Sequence, residues 1–422
     1  MSNGFWRAMT TRHWADEVRP FPGIAPGVRA GARRPPVAEG ETLIEIPGLD
    51  ALDIYREAWS DLSKRALEPN PFLEPEFAQS AILHSPAAQR PEMVFVWQGA
   101  GFNPRGRLIG AVALESGGSR LIGVGRNWRH RHGALGTPLI DRFAGARAID
   151  SLFGWLRRRR PRPSALMLES LVRDGPVYDL LTDRCVANGL PFISVGSHER
   201  AALLRGQTGA EVFARARSAK HRRELDRLRR RLAERGGVAF GQASTPAEVR
   251  DAVEWFMALE YRGWKGGRGT AFLSDGGDSA FLRSTTRLLA AAGRCRIYWL
   301  AIDGAPIAMG VMLMSGDRAY YWKTAYDEDY GHFSPGVQLT REIIDRQLAD
   351  DDIVLTDSCA IADHPMIDRV WPDRQPMVEL LIGLDPARSG ALPLIAKRER
   401  FRRQVRAIVK TAANKALGRK AS

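Results

Sequence analysis

IYWLAIDGAPIAMGVMLMSGDRAYYWKTAY, residues 297–326, holds three apolar runs separated by two turn signals. Asp303-Gly304 and Ser315-Gly316-Asp317 are residue types that suit a tight reversal, so 297–302, 307–314 and 319–326 read as three consecutive antiparallel strands. In the third, Tyr320, Trp322, Thr324 and Tyr326 alternate with Tyr321, Lys323 and Ala325, which places Lys323 on the face opposite Tyr320 and Trp322. A lysine on so apolar a strand needs a partner or a ligand, and Glu260 is one candidate partner.

Upstream, the pattern gives a strand over 238–243, a helix over 246–261 and the glycine-rich loop Gly263-Trp264-Lys265-Gly266-Gly267-Arg268-Gly269. Downstream, a helix over 335–349 and a strand over 353–357 complete an α/β unit. The first half reads similarly. A strand start at 42–46 and a helix over 49–66 lead to the punctuated Asn70-Pro71-Phe72, then strands over 93–98, 107–115 and 120–126. A helix from Pro138, a strand over 165–170, another helix and a strand over 191–195 follow. Both halves share a grammar: Ile109-Gly110 or Ile307-Ala308 within a strand, then Ser116-Gly117 or Ser315-Gly316, then a hydroxyl-proline helix start, Thr137-Pro138 or Ser334-Pro335. A duplicated domain is the natural inference. The expected organisation is a disordered basic leader over 1–40, a first domain over 41–205, a basic connecting helix over 206–236, a second domain over 237–390 and a basic amphipathic helix over 391–422. In the connector, a continuous helix over 211–235 carries Leu225, Leu228 and Leu232 on one stripe and arginines elsewhere.

The 422 residues are 44% apolar, enough for a core in each unit. Cys185, Cys295 and Cys359 lie too far apart for a zinc knuckle or a disulfide framework, which suits a reducing compartment. Neither a signal peptide nor a membrane-spanning run is visible, so a cytoplasmic protein is expected. The net charge of +14 is concentrated at the ends: ten basic residues against Glu399 between Lys397 and Lys420, and six arginines against three carboxylates over 1–40. Only about +2 remains for the body, which counts against a nucleic-acid partner. In the tail, Phe401, Val405, Ile408 and Ala412 recur at helical spacing among the basic residues. That is the pattern of a helix lying on an anionic membrane surface, here the inner face.

The best anion site is the helix start Ser334-Pro335-Gly336-Val337: free backbone N–H groups and the positive dipole end meet there, and Gly336 permits close approach. His130-Arg131-His132 lacks a third metal ligand, and no Gly-x-Ser-x-Gly elbow for serine hydrolysis is present; no metal is expected.

From Trp59 to about Leu384 the chain resembles the GNAT family members related to CelD, the cellulose-biosynthesis acetyltransferase-like proteins, distant cousins of the FemAB peptidyltransferases. The residues that carry the resemblance are Asn70-Pro71-Phe72-Leu73 with Phe77, Lys220-His221-Arg222-Arg223, Glu260 with Gly263-Trp264-Lys265-Gly266, and Gly269-Thr270-Ala271. Lys323 with Ala325-Tyr326-Asp327-Glu328, Ser334-Pro335-Gly336, and Asp357-Ser358-Cys359-Ala360 with His364-Pro365-Met366-Ile367-Asp368 complete the order. Only Gly336 stands where typical family members have a fuller glycine-rich loop.

The resemblance implies two tandem GNAT-like domains, each a mixed, mostly antiparallel sheet flanked by helices, and transfer of an acyl group, acetyl being expected, from acyl-CoA to an amine or hydroxyl. An envelope or exopolysaccharide precursor is the expected acceptor, a small molecule or sugar. Ser334, Gly336 and Val337 would then hold the donor. Acyl transfer needs a base, oxyanion donors and an acid for the thiolate. Asp357 or His364 is the expected base and Tyr326 the acid, all three in one cleft. Glu260, Trp264, Lys265 and Lys323 would form the acceptor side, with Trp264 and Lys265 an aromatic wall and a cation. Two other readings stay open: aminoacyl transfer from charged tRNA in the FemAB manner, using the basic connector, and a non-catalytic partner of a polysaccharide synthase.

Overall fold

The computed structural model describes residues 41–99, 102, 106–116 and 123–416. The expected leader and the last six residues of the tail lie outside the described residues. In the first half, β1 (Thr42–Glu45) precedes a 3-10 stretch, Leu49–Tyr55, that runs into α1 (Arg56–Lys64) and then α2 (Pro75–His84). There follow β2 (Pro91–Gln98), β3 (Arg107–Glu115), β4 (Val124–Arg126), β5 (Leu139–Ile140), α3 (Gly145–Arg158), β6 (Ala165–Val172), α4 (Pro176–Ala187) and β7 (Phe192–Leu204). Pro138 does not open a helix. Leu139 and Ile140 instead pair with Ala111 and Gly110 on the edge of β3, where both side chains are buried, and the helix begins only at Gly145. The hydroxyl-proline helix start is therefore a feature of the second half alone.

The connector is two helices, α5 (Gly209–Ala216) and α6 (Ala219–Ala233), rather than one. Thr208 and Glu211 form a capping box for α5, the chain turns extended at Arg217, and the Ser218 hydroxyl accepts the His221 N–H to start α6. Along α6 the expected stripe holds: Leu232 is buried and Leu225 packs against the core.

Beyond β8 (Val238–Ala243), a second capping box, Thr245 with Glu248, opens α7 (Pro246–Arg262). The glycine-rich segment contains one helical turn, Trp264–Gly267, and leads to α8 (Gly276–Ala291). The three strands read from 297–326 are β9 (Cys295–Ile302), β10 (Ala305–Ser315) and β11 (Arg318–Tyr326). They reverse at Gly304 and Gly316, whose φ of 79° and 54° cost glycine no steric clash. Then come α9 (Pro335–Leu348), β12 (Leu355–Asp357), β13 (Asp373–Gly383) and α10 (Leu392–Ala416).

One four-stranded sheet has the order β1-β2-β3-β5. A nine-stranded sheet has the order β4-β6-β13-β7-β12-β11-β10-β9-β8. The strand β13, late in the chain, lies between β6 and β7, and β7 pairs along its other edge with β12. Both halves thus contribute to one ladder. They also share a core, in which Phe72, Phe77 and Trp128 pack with Phe281, Tyr320 and Trp322. Each half contains one short parallel pair, β4 with β6 and β11 with β12.

The pairing of β10 with β11 shifts register between Val311 and Met312. Val311 stands opposite Lys323 and Met312 opposite Tyr321, leaving Trp322 as the extra residue of a bulge. The bulge resets the two-residue alternation. Lys323 therefore shares the side of Trp322 rather than facing away from it, with its Nζ 5.3 Å from the indole.

Candidate functional site

The parallel ladder between β11 and β12 is only three residues long, from Arg318 opposite Leu355 to Tyr320 opposite Asp357. Past that point nothing pairs the C-terminal part of β11 with β12. At about 3.3 Å per residue, Lys323 stands roughly 10 Å beyond the last paired position.

The chain leaves β11, makes a 3-10 turn over Glu328–Phe333 and enters α9 through Ser334, held at φ 54°. The Ser334 side chain makes no capping bond, Pro335 has no N–H, and the first intrahelical donor is the Gln338 N–H, 3.0 Å from the Ser334 carbonyl. The N–H groups of Gly336 and Val337 consequently lack helical acceptors. A carbon at the Cβ position of Gly336 would meet only the Met366 sulfur, at 3.5 Å. Gly336 and Val337 thus leave two backbone donors at the helix start, while the Ser334 N–H is taken by the Gly331 carbonyl at 2.9 Å.

The acceptor-side residues gather around the end of α7. Glu260 is 4% exposed and holds Lys265 Nζ at 2.6 Å through one oxygen, while the other accepts the Phe272 N–H at 2.8 Å. Glu260 is therefore the partner of Lys265, and its pairing with Lys323, one candidate from the sequence, does not form. Trp264 is 43% exposed, its N–H donates to Glu328 Oε1 at 2.7 Å, and the Arg268 guanidinium lies 4.7 Å from its ring.

Lys323 reaches across to the first half, where its Nζ is 3.2 Å from His132 Nδ1. The adjacent Trp322 donates its indole N–H to the His132 carbonyl at 2.7 Å. On the far side of the imidazole, Nε2 lies 3.4 Å from Asp278 Oδ1, and Arg131 also pairs with Asp278. Burial, then the nearby Lys265, pushes Lys323 down to about 8, against the opposing pull of Glu260, Cys359 and Asp278. Burial likewise lowers His132 and takes His130 to about 3. Burial alone would raise Asp278, but His132 and Arg131 outweigh it and hold the carboxyl at about 2.

The three residues expected to share one cleft do not meet. Asp357 is fully buried; its Oδ1 lies 3.3 Å from Arg200 Nε and accepts the Cys359 N–H at 2.8 Å. Tyr326, 41% exposed, pairs with Ala308 at the opposite end of β11 from Tyr320, the residue beside Asp357. His364 accepts the Met366 and Ile367 N–H groups on Nδ1 and lines an open depression of about 610 Å³ with His198, Asp368 and Arg374. Among the described residues, no hydrogen bond or ion pair joins any two of the three. Nor does any cluster of three or more His, Cys, Asp and Glu side chains suit a metal ion among them. His132, Asp278 and Arg200 escaped the sequence reading. His132 had been weighed only as half of a metal pair, and nothing in the sequence links it to residues 278 and 323.

The acetyltransferase (GNAT) domain family matches residues 219–356, the span from α6 to β12 that includes Glu260, Lys265, Lys323 and Gly336. No curated protein sequence matches the chain. Among solved structures, FemX is similar over 84% of this chain and 100% of its own, with 10% identity and a TM-score of 0.52. The C-terminal domain of a putative lysylphosphatidylglycerol synthetase from Agrobacterium fabrum covers 82% of this chain and 96% of its own, at 12% identity and a TM-score of 0.45. A tandem GNAT protein from the clavulanic acid biosynthesis pathway covers 82% and 99%, at 18% identity and a TM-score of 0.37. At such identities the likeness concerns the fold. Residues 219–356 thus match the GNAT acetyltransferase domain family, within a mixed α/β chain whose fold is similar to that of FemX.

Proposed function

We propose that the chain moves an acyl group, acetyl in the simplest case, from acyl-CoA to an amine or hydroxyl of an envelope or exopolysaccharide precursor. One observation carries the reading: β11 and β12 part after Tyr320 and Asp357, on the side of the sheet where α9 presents the uncapped N–H groups of Gly336 and Val337. The helix start would supply anion binding for the pyrophosphate, and the acyl chain would lie past the last paired residues of β11 and β12. The unit over 237–390 is then the catalytic one. Trp264, with Lys265 and Arg268 beside its ring, suits a sugar or acidic acceptor. The CelD-like order of motifs supports a polysaccharide-related acceptor.

Calorimetry with acetyl-CoA tests the donor site. Gly336→Phe fills the approach to the helix start. The expected loss is about tenfold or more in affinity, or ~1.4 kcal/mol. Unchanged affinity would place the donor elsewhere.

The reading also puts the protein in the cytoplasm at the inner membrane face, held there by α10. Among the described residues no helix is long and apolar enough to cross a membrane. The start of α10 packs on the sheet through Leu392 and Ala396, and Arg400 donates to the Ser194 carbonyl. Further along, Phe401, Val405, Ile408 and Val409 are exposed. Flotation with anionic liposomes is expected for the native chain and should fade as salt rises, since the screening length is about 8 Å at 0.15 M. The exposed-face variant Phe401→Ser with Ile408→Ser should stay at the bottom of the gradient. Equal flotation of the two would remove the membrane role.

A further inference from the structure

We infer that Lys323 is the group that takes the proton from the attacking acceptor, and that His132 and Asp278, reaching it from other segments of the chain, position it. The inference rests on the transferase reading above.

Three segments converge on one line. Lys323 Nζ lies 3.2 Å from His132 Nδ1, and His132 Nε2 lies 3.4 Å from Asp278 Oδ1. His132 Nε2 makes no hydrogen bond, but the Asp278 carboxylate 3.4 Å away favours the imidazole proton on that side, which leaves the Nδ1 lone pair to accept from Nζ. The line is held from both sides: the Trp322 indole N–H fixes the His132 carbonyl, and the ring stacks 5.7 Å from Phe281 at 11°.

A structural lysine bridging two halves of a protein would be expected to end on a carboxylate. Lys323 does not. Glu260 is taken by Lys265 and the Phe272 N–H, and Asp278 by Arg131 and His132. Among the described residues no carboxylate is within ion-pair distance of Lys323, whose hydrogen-bond partner is a neutral ring. Desolvation without a direct counter-charge favours the free amine. Phe272 and Trp322 flank Nζ at 5.6 and 5.3 Å, and Lys265 adds a like charge, so neutral Nζ is accessible near pH 8. The bulge at Trp322 matters here. Without it Lys323 would face the other side of the sheet, away from His132.

In the step, the acceptor amine or hydroxyl attacks the carbonyl carbon of the acyl thioester. The new C–N or C–O bond forms and the C–S bond breaks. The proton shed by the nucleophile passes to neutral Nζ, which becomes an ammonium donating to His132. It then returns that proton to the departing thiolate, so the products are an amide or ester and a free thiol.

Two measurements on the full chain test this. Competitive labelling with acetic anhydride from pH 6 to 10, read by peptide mass spectrometry, reports each of the eight lysines separately. Lys323 should show a midpoint near 8, below the ordinary lysine value of ~10.4. Asp278 raises Lys323, so Asp278→Asn should move its midpoint lower still. Thiol release from acetyl-CoA with glucosamine and a panel of simple amines gives the second readout. The native rate should rise through pH 8, and Lys323→Met and Lys323→Arg should lose about 10²- to 10⁴-fold in kcat while still binding acetyl-CoA. In Asp278→Asn the pH limb should move down together with the labelling midpoint. Lys323 titrating at the ordinary lysine value, or Lys323→Met keeping both rate and limb, would overturn the assignment while leaving the transferase intact. If acetyl-CoA neither binds nor reacts while Lys323 still titrates near 8, the transferase reading itself fails, and this role with it.

Discussion

Replacing Arg200 by methionine is expected to cost about 3–5 kcal/mol of stability at neutral pH. Arg200 comes from β7 and is 3% exposed; Asp357 comes from β12 and is fully buried. The guanidinium lies 3.3 Å from Asp357 and makes long contacts, 3.3 and 3.4 Å, to the Ala134 carbonyl. Asp357 Oδ2 has no hydrogen-bond partner, so once Arg200 is gone only the Cys359 N–H remains to face the carboxylate. A buried charge is then left uncompensated. The double variant Arg200→Met with Asp357→Asn should therefore recover part of the loss. Urea midpoints read by tryptophan fluorescence decide the matter. A single variant within about 0.5 kcal/mol of the native protein, as for an ordinary surface change, would mean that the pair does not hold β7 to β12.

Phe281→Ala should be almost as damaging, at about 3–5 kcal/mol, for a different reason. The ring sits in the shared core, 5.2 Å from Phe77, 4.5 Å from His130, 5.7 Å from His132 and 6.1 Å from Trp322. Its removal leaves a cavity bounded by residues of both halves, which relaxes poorly because the two share one sheet. The exposed Phe143, 78% accessible, provides the control: Phe143→Ala should change stability by less than about 0.5 kcal/mol. The His132 ring also loses its stacking partner in Phe281→Ala, so the line from Asp278 to Lys323 should loosen. On the proposed transferase reading, acetyl transfer should then fall more than folded fraction alone explains. A loss below about 1 kcal/mol would show that the interface is not a true core.

Local signals were sufficient wherever one turn or one face determines the element. Asp303-Gly304 and Ser315-Gly316 set the reversals of β9, β10 and β11, and Thr245-Pro246 opened α7, because turn and cap chemistry acts within four residues. The helix α2 escaped for the opposite reason. Its sides are covered by α8 and by the shared core, at Phe77, Ala78, Ala81 and Ile82, so it lacks the broad polar face that makes a helical period visible. The strand β13 was hidden in part by Pro376, a residue that ordinarily argues against an interior strand.

The sequence by itself determined the α/β class, the three-strand run, the helix start at Ser334 and the grouping of Glu260, Trp264 and Lys265, all of which are set by residues close together in the chain. Only the tertiary structure decided the rest. The register shift at Trp322 turned Lys323 toward the first half, since a bulge depends on both strands at once. Asp357 became an internal ion because β7 brings Arg200 against β12. His132 met Lys323 across 191 residues of chain, a contact that follows from packing and has no local signal to announce it.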